Sequence, residues 1–193
     1  VMALLKKRDG LVLGICNGFQ ALVKTGLAMY GEFRDMEPDM PTLTYNKIGR
    51  HISRIVRTRL VSAASPWAMD PSVVDSRIHL VPISHGEGRF VCDEETARKF
   101  FENGQVFTQY VDEYGNPAIT EPDNPNGSLF AIEGITSPDG RVLGKMGHSE
   151  RTIGTDLNGA SCDLIMNVAG NPLTNEYENS CENVFAAGVR YFK

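Results

Sequence analysis

A thiol, an imidazole and a carboxylate stand out for their surroundings: Cys16 within Leu11-Val12-Leu13-Gly14-Ile15-Cys16-Asn17-Gly18-Phe19-Gln20, and His148 and Glu150 within Gly147-His148-Ser149-Glu150. An apolar β-type run that halts at a nucleophile, with Gly two residues before and two after, predicts a strand-to-helix elbow that presents the side chain on a tight, strained turn. A free thiol has a pKa of about 8.5 and is only slightly ionised at neutral pH, so an imidazole that takes its proton raises the reactive fraction. In an extended segment residues two apart share a face, so Glu150 can reach the His148 ring, fix its tautomer and stabilise the imidazolium. Cys16, His148 and Glu150 thus make a candidate catalytic triad.

Each half has a plainer reading. A lone cysteine is more often core than catalyst, and the same holds for a lone histidine; Cys92, Cys162 and Cys181 are read as core residues. The combination of elbow and His-x-Glu is what points to nucleophilic catalysis. No further His or Asp cluster has supporting spacing, so no metal site is expected. No phosphate-cradling loop is found either, Gly86-Glu87-Gly88 being too weak a pattern.

The elements that must position the triad follow from periodicity. Val1 to Arg8 reads as the end of a helix stopped by Asp9-Gly10. After the elbow, Phe19, Leu22, Val23, Leu27 and Met29 predict a helix over about 17–29. Alternation over 56–61 predicts a half-exposed strand whose arginines, with Arg50 and Arg54, face water or a partner domain. The lone Trp67 is expected to pack in its loop. Ile78 to Ser84 reads as a strand running into a Gly-flanked turn, His85 to Phe90, a candidate site loop. A helix over about 93–103, a strand over 105–111, a turn at 124–127 and a hairpin about Ser137-Pro138-Asp139-Gly140 follow, the hairpin delivering His148. The class is α/β: an open, mostly parallel sheet flanked by helices, with an antiparallel hairpin near the site.

Composition fits one domain across all 193 residues, with 41% hydrophobic content and no compositional break. With 19 Lys and Arg against 24 Asp and Glu, the charge of -5 offers nothing to nucleic acid or an anionic membrane. No apolar run approaches the roughly 18 residues of a membrane span. Scattered cysteines suit a reducing, cytoplasmic setting.

Gly14-Ile15-Cys16-Asn17-Gly18-Phe19-Gln20 with Gly147-His148-Ser149-Glu150-Arg151 resembles the class I (triad) glutamine amidotransferases, whose sheet is flavodoxin-like. Pro41 to Asn46, Ser65-Pro66-Trp67, Ser84 to Phe90, Asn124 to Ser128 and Ala131 to Ile135 narrow the likeness to its purine branch, the glutaminase domain of phosphoribosylformylglycinamidine synthase. The resemblance implies that Cys16 attacks the glutamine side-chain amide, with His148 as proton shuttle, Glu150 as its orienter and Asn17 N–H in the oxyanion hole. It places contacts to glutamine or to the domain boundary at Gln20, Ser84 and His85, with Asn126 and Ser128 as further candidates; the alternative for His85 is to tie its loop together or face the synthetase domain. It implies no cofactor in this chain, and ATP and Mg in a synthetase domain of the same polypeptide that receives the ammonia.

The family's first strands and a Gly-rich oxyanion loop would precede the elbow, and fifteen residues leave no room for them. The sequence is therefore expected to be an N-terminally truncated fragment, weakly active or inactive alone, since one lost oxyanion donor costs about 10²-fold or more. Two alternatives are a DJ-1/PfpI-like cysteine hydrolase or redox sensor, which usually has His where Asn17 stands, and a non-catalytic docking domain.

Overall fold

The computed structural model describes residues 1–74, 78–151 and 182–193; Cys162 and Cys181 lie outside them. Helix α1 (Met2–Lys7) opens the chain and stops where expected, at Asp9 with φ 50°. Gly10 N–H then donates to Leu4 O at 3.0 Å. Strand β1 (Val12–Ile15) leads through Cys16 into α2 (Asn17–Lys24). The helix expected over 17–29 is broken: Gly26 takes φ 76° and caps a separate α3 (Leu27–Tyr30), a left-handed conformation that glycine adopts without steric cost.

Strands β2 (Thr42–Tyr45) and β3 (Ile52–Leu60) follow, then helix α4 (Pro71–Val74) and strands β4 (His79–His85) and β5 (Glu87–Val91). Helix α5 (Glu94–Glu102) comes next, its first turn capped by Asp93, whose carboxylate accepts from Thr96 N–H. Strands β6 (Val106–Tyr110), β7 (Ile132–Thr136) and β8 (Val142–Lys145) and helix α6 (Val184–Tyr191) complete the described elements. The segment 85–90, read as a turn, is instead the end of β4, a turn at Gly86 and most of β5. Polar residues every second position there belong to a strand that pairs with β2, register Leu43↔Phe90, a distant partner that local pattern cannot indicate.

Six strands form one sheet in the order β1-β8-β7-β6-β3-β4. The expected open α/β sheet and the antiparallel hairpin beside the site are both found; β7 and β8 pair with Gly134 opposite Lys145. Among the described strands parallel pairing is confined to β1 with β8; the other four pairings of this sheet, and that of β2 with β5, are antiparallel. A parallel neighbour needs a crossover of a dozen or more residues, which the short 137–141 connection cannot supply.

Both faces of the sheet are covered, which is why β6, β7 and β8 are buried at every position. On one face Phe19, Val23 and Met29 pack with Ile132, Ile135 and Met146. On the other, Trp67 and Val73 meet Phe107, Leu143, Val184 and Ala187. Trp67 packs as expected, its indole N–H donating to Arg141 O at 3.1 Å. Of the basic run, Arg50 and Arg57 are exposed, Arg54 is half-buried, and Arg59 donates to Gly115 O at 2.9 Å. The sheet curls enough for the segment leaving β8 to reach edge strand β4: His148 N–H donates to Pro82 O at 2.8 Å. Proline tolerates an edge strand because its missing N–H is not needed there.

Candidate active site

Cys16 occupies the elbow between β1 and α2 with φ 52° and ψ −106°. A non-glycine residue there is strained, and such strain concentrates at functional sites. Its N–H donates to Lys145 O at 2.9 Å and its carbonyl accepts from Gln20 N–H at 3.1 Å, so the turn is fixed on both sides. The two glycines play different parts. A Cβ on Gly14 would lie 2.4 Å from Leu22 and 2.7 Å from the Gly18 backbone, whereas one on Gly18 would meet nothing within 4 Å. Gly14 is therefore required by close packing and Gly18 borders open space.

The Cys16 thiol is half-buried and points to Ser84 O, at 3.7 Å. Loss of solvent raises its pKa; the Asn17 N–H and the charge of Arg151 pull it down, Glu150 pushes it up, and burial prevails. The resting group is thus a thiol, and it needs a base to react.

That base stands at the end of the neighbouring strand. β8 exits through Gly147 to His148, whose Nδ1 lies 2.5 Å from Glu150 Oε1. The carboxylate can only accept, so Nδ1 carries the proton and Nε2 of the neutral ring is the free acceptor. Nε2 is buried with no protein partner among the described residues. The His–Glu contact expected from an extended segment is made in another way: Ser149–Arg151 forms a 3-10 turn. Cys16 and His148 therefore emerge from the C-terminal ends of adjacent parallel strands, the usual place for a site in an open α/β sheet.

Of the other residues singled out from sequence, Asn17 begins α2 with its N–H beside the sulfur. Gln20 donates from Nε2 to Glu87 O at 2.5 Å, tying α2 to β5. Ser84 meets the thiol through its carbonyl and His51 Nε2 through its hydroxyl, at 3.1 Å. His85 Nδ1 lies 3.0 Å from Asn46 Oδ1. Since the Asn46 amide nitrogen already donates to Arg50 O and His85 O, its oxygen faces the ring and His85 donates from Nδ1. Burial, with the charges of His51 and His148, lowers the His85 pKa to about 4. It stays neutral at physiological pH.

Asn126 and Ser128 stand apart from this cluster. Asn126 is buried and donates to Gly88 O at 2.7 Å and Tyr110 Oη at 3.2 Å; Ser128 Oγ accepts from Phe90 N–H at 3.0 Å. Both bind β5 to the 124–128 turn. An open groove of about 1400 Å³ lies beyond that turn, lined by Phe101, Ala118, Leu129 and Phe130. Neither Cys16 nor His148 lines it.

Two buried charged residues near the triad carry no local signal in the sequence. Glu133 on β7 accepts from Gly147 N–H. Lys145 on β8 donates to Ser149 Oγ at 2.8 Å and pairs with Glu182. Charged residues inside a strand pattern look like a solvated face, and only the double covering of the sheet buries them. Among the described residues no helix is long and apolar enough to cross a membrane.

Known proteins resemble this arrangement. A family model described as a CobB/CobQ-like glutamine amidotransferase domain matches residues 1–192. Phosphoribosylformylglycinamidine synthase subunit PurQ of Methanococcus maripaludis strain C7 is 34% identical over 185 residues, 94% of this chain and 65% of that protein. The PurQ subunit of Symbiobacterium thermophilum is 38% identical over 158 residues, covering 82% and 61%. The chain thus spans about 65% of the length of such relatives. Among solved structures, that of PurLQS from Thermotoga maritima superposes with a TM-score of 0.63 over 100% of this chain and 66% of the other, at 24% identity, a likeness of fold. With almost its entire length matched, the chain belongs to the CobB/CobQ-like glutamine amidotransferase domain family.

Proposed function

We propose that this chain is the glutaminase part of a phosphoribosylformylglycinamidine synthase, releasing ammonia from glutamine for purine synthesis. The observation that carries the reading is the strained elbow of Cys16 beside the His148–Glu150 pair, at the ends of β1 and β8. The likeness to PurQ subunits supplies the substrate class and the pathway.

Cys16 Sγ adds to the side-chain carbonyl carbon of glutamine while His148 Nε2 takes the thiol proton. Asn17 N–H, at the start of α2, donates to the oxyanion that forms. His148 passes the proton to the leaving nitrogen, the C–N bond breaks, and ammonia departs from a γ-glutamyl thioester. Water then adds to the thioester with His148 as base, the C–S bond breaks, and glutamate leaves with the thiol restored. Glu150 holds the ring in the productive tautomer and balances the imidazolium. Because the resting thiol points to Ser84 O, a side-chain rotation toward His148 begins the cycle.

Ser84, whose carbonyl meets the thiol, is proposed to contact glutamine together with Gln20 and His85; Asn126 and Ser128 act one layer away by holding β5. The ammonia is proposed to pass to a synthetase partner in a cytoplasmic enzyme, and ATP and Mg belong to that partner's reaction. The test uses the assembled enzyme. Replacing Cys16 with Ala should abolish product formation from glutamine while leaving formation from added ammonium intact. Glutamine-driven turnover by the Cys16→Ala enzyme would overturn the assignment.

A further inference from the structure

We propose that Glu133 is the positioning residue that sets where the His148 ring stands, an inference that rests on His148 being the proton carrier. Glu133 lies on β7 and is fully buried. Its backbone carbonyl accepts from Met146 N–H at 3.2 Å, and its Oε1 accepts from Gly147 N–H at 2.5 Å. The other carboxylate oxygen accepts from the Thr108 hydroxyl on β6. A Cβ on Gly147 would come within 3.0 Å of Glu133 Oε1 and 2.7 Å of Val81, so the strand exit is wedged between β7 and β4. One residue later, His148 N–H donates to Pro82 O. The backbone entering His148 is therefore clamped by Glu133 on one side and Pro82 on the other.

The Gly147 side of the residue calls for an acceptor, because a peptide N–H can only donate; the Thr108 hydroxyl, which can donate or accept, donates to the carboxylate here. A carboxylate accepts from both; an amide must either turn its NH₂ toward Gly147 N–H or reverse the bond to Thr108 by donating to the hydroxyl oxygen, and it carries no charge in either case. Packing alone would be served by an apolar side chain, because a buried charge is costly unless fully hydrogen-bonded. Buried Lys145 lies close enough to feel that charge: burial lowers its pKa, and Glu133 opposes the shift. Holding the Gly147–His148 peptide accounts for an acid at this position.

The test is Glu133→Gln in the complete protein that carries this chain. Displacing a catalytic group by about 1 Å can cost on the order of 10²-fold. We expect the glutaminase kcat to fall about 10- to 100-fold with glutamine KM nearly unchanged, the pattern of a lost transition-state contact. The His148 ring signals should move in ¹H–¹³C NMR spectra while those of His79, at the far end of β4, stay in place. A folded Glu133→Gln protein with wild-type kcat and unmoved His148 signals would overturn the proposal. If that variant does not fold, Thr108→Val, which removes the second donor alone, takes its place: a lowered kcat with shifted His148 signals supports the proposal, and wild-type kcat with unmoved signals overturns it. Should the wild type lack glutaminase activity, the functional reading fails, while the His148 signals still decide the role of Glu133.

Discussion

Cys16 and Lys145 are hydrogen-bonded neighbours, the Cys16 N–H donating to the Lys145 carbonyl at 2.9 Å. This bond is the last rung between β1 and β8, and both chains leave the sheet just beyond it. One turns into α2 with the thiol at its head, and the other turns through Gly147 to His148. The nucleophile and its base are thus registered by main-chain pairing, and the side chains supply the chemistry.

Because burial keeps the thiol protonated, alkylation of Cys16 by iodoacetamide in the absence of glutamine should rise with pH. Its midpoint should lie above about 8.5, the ordinary thiol value. A pH series of alkylation rates followed by mass spectrometry measures it. A midpoint near neutrality would mean that the resting group is already a thiolate paired with imidazolium.

Replacing Glu150 with Gln should lower glutaminase kcat on the order of 10²- to 10⁴-fold with little change in KM, as an amide permits the wrong His148 tautomer. Steady-state kinetics on the complete enzyme decide it, a loss below about threefold speaking against an orienting role.

Gly144→Ala should destabilise the fold by about 1–3 kcal/mol through overpacking, since the added Cβ would lie 2.1 Å from the Phe19 ring. Phe19 sits in the first turn of α2, so the elbow should be disturbed with it. Urea unfolding measures the first effect; a stability equal to wild type would contradict the close packing of α2 on β8.

Asp70 joins α4 to α6: its carboxylate accepts from Ser72 N–H at 3.0 Å, Ser72 Oγ at 2.6 Å and Arg190 Nε at 2.7 Å. Burial opposes its charge, but these partners outweigh burial and hold the pKa below the ordinary value. A depressed carboxylate stabilises the fold above its unfolded pKa and loses that contribution as pH falls through the folded value. Asp70→Asn should therefore cost about 1–2 kcal/mol at neutral pH, a deficit that shrinks below about pH 4. Melting temperatures across pH would show it, and a deficit that stays constant into strong acid would refute it.

The parts of this molecule that announce themselves in sequence are those with local causes. The elbow at Cys16 shows in a β-type run ended between glycines, the β7–β8 hairpin in Ser137-Pro138-Asp139-Gly140, and α5 in Asp93 followed by an amphipathic run. Gly26 is a local signal too, yet it splits a helix that the apolar spacing carries straight through. What stays hidden depends on distant partners. β5 is legible only with β2 beside it, and Glu133 acquires its place only when β7, β8 and β4 converge on Gly147. His148 and Glu150 are legible as a pair, although the segment that joins them is a 3-10 turn and not the extended run the spacing implied.

The most direct test of Cys16 as the nucleophile and His148 as its base is covalent labelling of the complete protein by a diazoketone analogue of glutamine, followed by peptide mass spectrometry. One label per chain is expected, on Cys16, suppressed by excess glutamine and lost in His148→Ala. Labelling that spares Cys16, or that proceeds at the wild-type rate without His148, would contradict these roles.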